Sequence, residues 1–201
     1  MAKTLHLADL DGNATYSYAD YLTWQFDETV ELIKGKIMAM SPAPNAEHQR
    51  ISWQLSGFLF NFFKNKDCRA YAAPFDVRLY DRTQSKIANR EIYSVVQPDL
   101  CVICDTRKID TQGCLGAPDW IIEILSRGNS KKEMQMKYAL YQESGVKEYW
   151  LVYPYEQAVH QFVLDEHSDQ YQLLNMYAND DIAVPHLFPD CRIDLHEVFE
   201  E

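Results

Sequence analysis

Three side chains in this sequence have the types and the setting for phosphodiester chemistry. Asp99 interrupts the apolar, β-rich run Val95-Val96-Gln97-Pro98-Asp99-Leu100-Cys101-Val102-Ile103, and Glu123 interrupts Asp119-Trp120-Ile121-Ile122-Glu123-Ile124-Leu125. A lone carboxylate in such a setting is costly to bury, or takes up a proton instead. Two of them on neighbouring strands can instead share a divalent cation such as Mg²⁺ or Mn²⁺, which keeps several waters and accepts a phosphate oxygen. Lys137 lies on the same helical stripe as Met134, Tyr138 and Tyr141. A lysine on a core-facing stripe calls for a partner. Its ammonium could orient an attacking water and offset developing charge, which together with the cation amounts to metal-assisted hydrolysis. The same three residues could also form a buried ion-pair network without metal.

Other candidates are less specific. His48 falls near the start of a helix, before its apolar stripe, where a histidine is either a satisfied surface residue or part of a site. In Pro74-Phe75-Asp76-Val77-Arg78-Leu79, strand alternation puts Asp76 and Arg78 on one face, as an exposed ion pair or as site residues. Arg50, Lys64, Lys66, Arg69, Arg127, Lys131 and Lys132 are the basic groups that could face phosphate. Cys68, Cys101, Cys104, Cys114 and Cys191 are odd in number, and free thiols are expected. Cys101 and Cys104 make a CxxC spacing, but residues at that separation on a strand face opposite sides, and no second pair completes a zinc site.

The elements that must position these residues follow from periodicity. Residues 16–27 carry aromatics at helical spacing and predict an N-terminal helix. Thr29–Ile33 and Lys36–Met40 flank Lys34-Gly35 as a hairpin, ended by Ser41-Pro42-Ala43-Pro44-Asn45. Asn45 can cap a helix from Ala46 to about Lys64, whose stripe is Ile51, Leu55, Phe58, Leu59, Phe62 and Phe63. Cys68–Leu79 has β character, and residues 81–91 read as a loop. After the Glu123 strand, Ser130 with Glu133 forms a capping-box pattern for a helix that Gly145 stops. Glu148–Pro154 is the next strand, which makes a β-α-β unit. Residues 158–164 and 171–176 are two more strands, and the acidic C-terminus is ill-defined.

Length and composition set the outer limits. A chain of 201 residues with 47% hydrophobic content suits one domain over 1–201 with a core of ordinary size. The formal charge of −11 argues against a protein that coats nucleic acid nonspecifically, but not against a nuclease, whose metal site needs acids. No apolar run reaches the roughly 20 residues that span a bilayer, and the N-terminus meets Asp9 too early for a secretory signal. The expectation is a cytoplasmic protein with no membrane partner. Abundant tyrosine suits interfaces, and cutting both strands of a duplex favours a homodimer or higher homo-oligomer.

Several ordered segments then carry a resemblance. They are Glu31-Leu32-Ile33-Lys34-Gly35-Lys36-Ile37, Met40-Ser41-Pro42-Ala43-Pro44 with His48, Pro74–Leu79, Gln97-Pro98-Asp99-Leu100, Gly116-Ala117-Pro118-Asp119, Glu123-Ile124-Leu125-Ser126, and Lys137 and Tyr141 with Gly145–Val152. Together they resemble the Uma-two family of restriction endonucleases, within the PD-(D/E)XK nuclease superfamily. The resemblance implies an α/β (α+β) restriction-endonuclease-like core, a central mixed sheet flanked by helices, a Mg²⁺ or Mn²⁺ cofactor and a DNA substrate. Asp99 matches the metal-binding aspartate, Glu123 the second acidic ligand, and the Ile124 carbonyl a further ligand. Leu125 stands where the superfamily's lysine belongs, and Lys137 looks like that lysine delivered from the following helix. Glu31, His48 and Asp76 match supporting positions. Arg127 and Gly128 replace a proline and serine usual after Ser126. A nuclease fold that no longer cuts, serving as a binding or assembly module, is the alternative.

Overall fold

The computed structural model describes residues 7, 10–26, 29–40, 45–80, 91–128 and 130–200. In chain order its elements are α1 (Tyr18–Tyr21), β1 (Val30–Ile33), β2 (Lys36–Ala39), α2 (Ala46–Phe63), β3 (Arg69–Ala72), β4 (Val77–Leu79), β5 (Ser94–Val96), β6 (Leu100–Ile103), β7 (Ile109–Asp110), β8 (Gly113–Leu115), β9 (Trp120–Ile124), α3 (Lys131–Ser144), β10 (Glu148–Tyr153), β11 (Ala158–Asp165), β12 (Gln170–Ala178), β13 (Ile182–Ala183), β14 (Ile193–Asp194) and α4 (Leu195–Phe199). The fold is mixed α/β. One six-stranded sheet runs β2-β1-β5-β4-β8-β7, a second runs β12-β11-β10-β9-β6-β3, and β13 pairs with β14. Each large sheet mixes orientations: β4 and β8 are parallel in the first, β9 and β10 in the second.

Local chemistry explains the elements around the site. Lys34 and Gly35 take φ of 50° and 76°, the left-handed conformations that a two-residue hairpin turn requires. Asn45 caps α2 by accepting the His48 N–H. The α2 stripe Ile51, Leu55, Leu59 and Phe63 packs on Leu100, Val102, Trp120, Ile122 and Trp150 of the second sheet. The opposite face of that sheet, with Cys101, Ile103, Ile121 and Tyr149, meets Leu140 and Tyr141 of α3 and the Val77, Leu79 and Val96 side chains of the first sheet. Period-two alternation therefore sends Ile122 and Ile124 towards α2, and Ile121 and Glu123 towards α3. Ser130 caps α3, and Gly145 ends it at φ 83°.

Four expectations are corrected. The N-terminal helix covers only Tyr18–Tyr21; the aromatics beyond it, Trp24 and Phe26, pack at a tilt to one another in irregular backbone. Cys68–Leu79 has the expected β character, as two strands in different sheets, but the Asp99 run splits into β5 and β6 around Gln97-Pro98-Asp99. Proline has no N–H for a ladder, and this break carries the chain from one sheet to the other. Cys68 and Cys104 form a disulfide, while Cys101, Cys114 and Cys191 are free and buried. The antiparallel register Arg69↔Ile103 makes the first two cysteines cross-strand neighbours, a proximity invisible in the sequence. The C-terminal segment is ordered into β13, β14 and α4. The proline segment 41–44 and most of the 81–91 loop lie outside the described residues, as does Asn129. No helix among the described residues is long and apolar enough to cross a membrane.

Candidate active site

The two carboxylates meet because β6 and β9 pair in antiparallel register. Leu100 faces Ile122, so one step farther Asp99, just before β6, comes opposite Glu123. Asp99 is fixed from two sides: Oδ2 accepts the Ile124 N–H at 2.7 Å, and Oδ1 lies 3.2 Å from His48 Nε2 at the start of α2. Glu123 Oε1 accepts from Tyr141 Oη at 2.6 Å and from Lys137 Nζ at 3.0 Å. Lys137 and Tyr141 are one helical turn apart on α3, the spacing that brings two side chains to one point.

Lys137 has a second carboxylate partner. Glu31, in the fully buried strand β1, places Oε1 at 3.0 Å from Nζ. The same Glu31 oxygen accepts the Gln97 N–H at 2.9 Å, and Gln97 Nε2 donates to Asp76 Oδ1 at 2.8 Å. Glu31, His48, Asp99, Glu123, Ile124 and Lys137 thus gather at one place, with Asp76 joined to them through Gln97. The partners of Lys137 are Glu123 and Glu31, whereas Asp99 is held by His48 and Ile124.

Charge in this site is unbalanced. Three carboxylates, Glu31, Asp99 and Glu123, stand against the Lys137 ammonium, which pairs with Glu31 and Glu123, and the His48 imidazole, which pairs with Asp99; Glu31, Glu123 and Lys137 are each less than a tenth exposed. Burial pushes the Glu123 carboxyl up to about 7; Lys137 opposes the shift, and the charges of Asp99 and Glu31 add to it. For Lys137 burial favours the neutral amine, but the charges of Glu123 and Glu31 prevail and hold it well above the usual lysine range. Burial, then the Glu123 charge, keeps Tyr141 a neutral donor. Burial acts against protonation of His48, yet its bond to Asp99 and that carboxylate's charge raise its pKa overall. Its Nδ1 is buried with no hydrogen-bond partner among the described residues.

The residues that could hold a divalent cation are Asp99 and Glu123, with the Ile124 carbonyl. Among the described residues no group of three or more His, Cys, Asp or Glu side chains is arranged to hold a metal by itself. Two carboxylates, one carbonyl and water form an all-oxygen donor set, which suits a hard cation that keeps its waters.

Other candidates are engaged elsewhere. Arg78 is almost fully buried and pairs with Asp110 at 2.6 Å rather than with Asp76, correcting the exposed ion pair expected from alternation. Position 76 lies before β4, where strand alternation does not apply. Asp119 accepts from the Cys104 N–H and pairs with Lys147, both at 2.8 Å. Arg50 donates to the carbonyls of Val198, Phe199 and Glu200, so it anchors α4. Two participants lacked an assigned role in the sequence. Tyr141 was discoverable from its i, i+4 spacing to Lys137; the Gln97 bridge was not, since it depends on two sheets meeting.

The sequence profile of the Uma2 family, described as "Putative restriction endonuclease", matches residues 18–196. The chain belongs to the Uma2 family. A crystal structure described as "a putative nuclease belonging to DUF820 from Anabaena variabilis ATCC 29413" is similar to this Uma2 chain with a TM-score of 0.71. The two are 21% identical, and the match covers 92% of this chain and 97% of that one, so the likeness speaks to fold. No curated protein matches the chain. Leu125, two residues beyond Glu123, is half-buried against the cluster formed with α3 and the first sheet.

Proposed function

We propose that this Uma2 protein is a divalent-metal-dependent endonuclease that hydrolyses DNA phosphodiester bonds. The observation that carries the reading is the convergence of Lys137 and Tyr141 on Glu123 beside Asp99. When bound by Asp99, Glu123 and the Ile124 carbonyl, Mg²⁺ or Mn²⁺ would act as a Lewis acid on the phosphate and lower the pKa of a water. The charge of Asp99, which raises the Glu123 pKa, is the repulsion that such a cation would relieve. Lys137, held as an ammonium by Glu123 and Glu31, orients the attacking water and offsets charge on the phosphate oxygens. Tyr141 fixes the Glu123 rotamer, and His48 with the Ile124 N–H fixes Asp99. The water oxygen bonds to phosphorus and gives up a proton to solvent, the bridging P–O bond breaks, and the leaving oxygen takes a proton from solvent.

Purified protein with Mg²⁺ or Mn²⁺ is expected to nick or linearise supercoiled plasmid, and chelation by EDTA to stop it. Asp99→Ala, Glu123→Ala and Lys137→Ala should each abolish the cutting; cleavage by Asp99→Ala at the wild-type rate would overturn the assignment. Leu125 favours a second reading, a nuclease fold that binds without cutting. Calorimetry that detects no divalent-ion binding to the wild type would select it.

A further inference from the structure

We propose that the groove between α2 and β3 is a track for single-stranded nucleic acid, running from the Asp99 end of the site; the inference rests on the nuclease reading above. β3 is the terminal strand of its sheet, so one side of its backbone has no strand partner among the described residues. Beside it lies a groove of about 340 Å³, lined by Ser56, Phe60, Lys64, Arg69, Tyr71 and Ala72 among others. Trp53, Ser56, Phe60 and Lys64 recur at three- and four-residue spacing on one side of α2. Trp53 is 80% exposed and Phe60 62%. These two rings stand two helical turns apart, about 10 Å.

Position and charge say what covers them. β3 pairs with β6 from Ala72↔Leu100 to Arg69↔Ile103, and the Ala73 N–H donates to the Asp99 carbonyl at 3.0 Å. One end of the groove, at Ala72 and Leu100, therefore lies next to the Asp99 backbone, and from there it extends the length of β3. At its far end Lys64, Lys66 and Arg69 are all exposed around one carboxylate, Asp67, a net positive cluster in a chain of formal net charge −11. A local cationic cluster on an acidic protein, at the far end of a groove whose other end adjoins the proposed site, complements a polyanion. The exposed rings choose between forms of it. Unpaired bases offer their faces for stacking, whereas a duplex hides them within its own stack.

The test uses full-length protein carrying Asp99→Asn, which silences cutting, and fluorescein-labelled oligo-dT or a blunt duplex of equal length, read by anisotropy. Oligo-dT is expected to bind more tightly than duplex. Trp53→Ala and Phe60→Ala should each weaken oligo-dT binding about tenfold or more. The pair Lys64→Glu with Lys66→Glu should reduce the salt slope by about 0.7 for each phosphate that is no longer neutralised. Met176→Ser, on an exposed part of β12, should change nothing. Quenching of Trp53 emission by oligo-dT, taken as the difference from Trp53→Phe, reports the contact without removing an aromatic ring. Equal oligo-dT affinity in the ring and lysine variants, at unchanged thermal midpoints, would overturn the track. So would a wild-type dimer that these substitutions dissociate without affecting oligo-dT, which would make the face an interface between copies. If the track variants lose oligo-dT while wild-type protein fails to cut plasmid, the site's reading falls and the track stands.

Discussion

Replacing Lys137 by methionine would leave Glu31 and Glu123 without the ammonium that lies 3.0 Å from each. Breaking a buried pair on one side costs about 3–5 kcal/mol, because the remaining charge keeps its desolvation penalty. The cost should depend on pH. The Glu123 carboxyl is raised from an ordinary 4.5 to about 7 by burial, against the pull of Lys137. In the unfolded chain it loses its proton first. Its contribution to stability is thus complete below about 4.5 and declines as pH climbs to about 7. Without the lysine the decline should steepen and extend higher. Urea unfolding of Lys137→Met across pH 5 to 8 is expected to show a small deficit at the acid end and the full one at the basic end; a deficit independent of pH would mean that Glu123 is not its source. Divalent-ion binding should release the Glu123 proton near neutrality, visible by calorimetry in buffers of different ionisation enthalpy. Tyr141→Phe removes a donor that favours the carboxylate, so the pH at which metal binds should shift upward.

At the scale of elements, another buried carboxylate shows what a structural acid looks like in this fold. Glu148, at the start of β10, is fully buried and accepts from Trp150 Nε1, Gln161 Nε2 and the N–H groups of His186 and Leu187. Its oxygens are consumed in holding residues 186 and 187 against the second sheet, whereas both bonds on Glu123 fall on one oxygen. Glu148→Ala should destabilise by about 3 kcal/mol and speed amide exchange selectively beyond residue 184. Uniform exchange along the chain would remove that anchoring role. The contrast also marks where the sequence was legible. The apolar stripe and cap of α2, the hairpin and the β9-α3-β10 unit depend on local period and capping chemistry, and all are present. Asp99, Glu123 and Lys137 stood out as charges in apolar settings. The passage from one sheet to the other at Gln97-Pro98-Asp99, the Arg78–Asp110 pair and the Cys68–Cys104 disulfide depend on long-range register, which a single chain of letters does not display.

Across the whole molecule, a formal charge of −11 makes two effects of Mg²⁺ easy to confuse. Any salt screens self-repulsion among surface carboxylates and raises stability, with a screening length of about 8 Å at physiological ionic strength. A cation bound to the site adds stability by mass action, roughly 2.7 kcal/mol at a hundredfold excess over Kd. The two separate at matched ionic strength. If Asp99 and Glu123 hold the ion, exchanging NaCl for MgCl₂ should raise the thermal midpoint of the wild type by several degrees and that of Asp99→Asn hardly at all. Screening alone would raise both equally, because removing one acid barely changes the net charge. A shift that survives in Asp99→Asn but disappears when other acidic clusters are altered would place the ion elsewhere on this acidic surface.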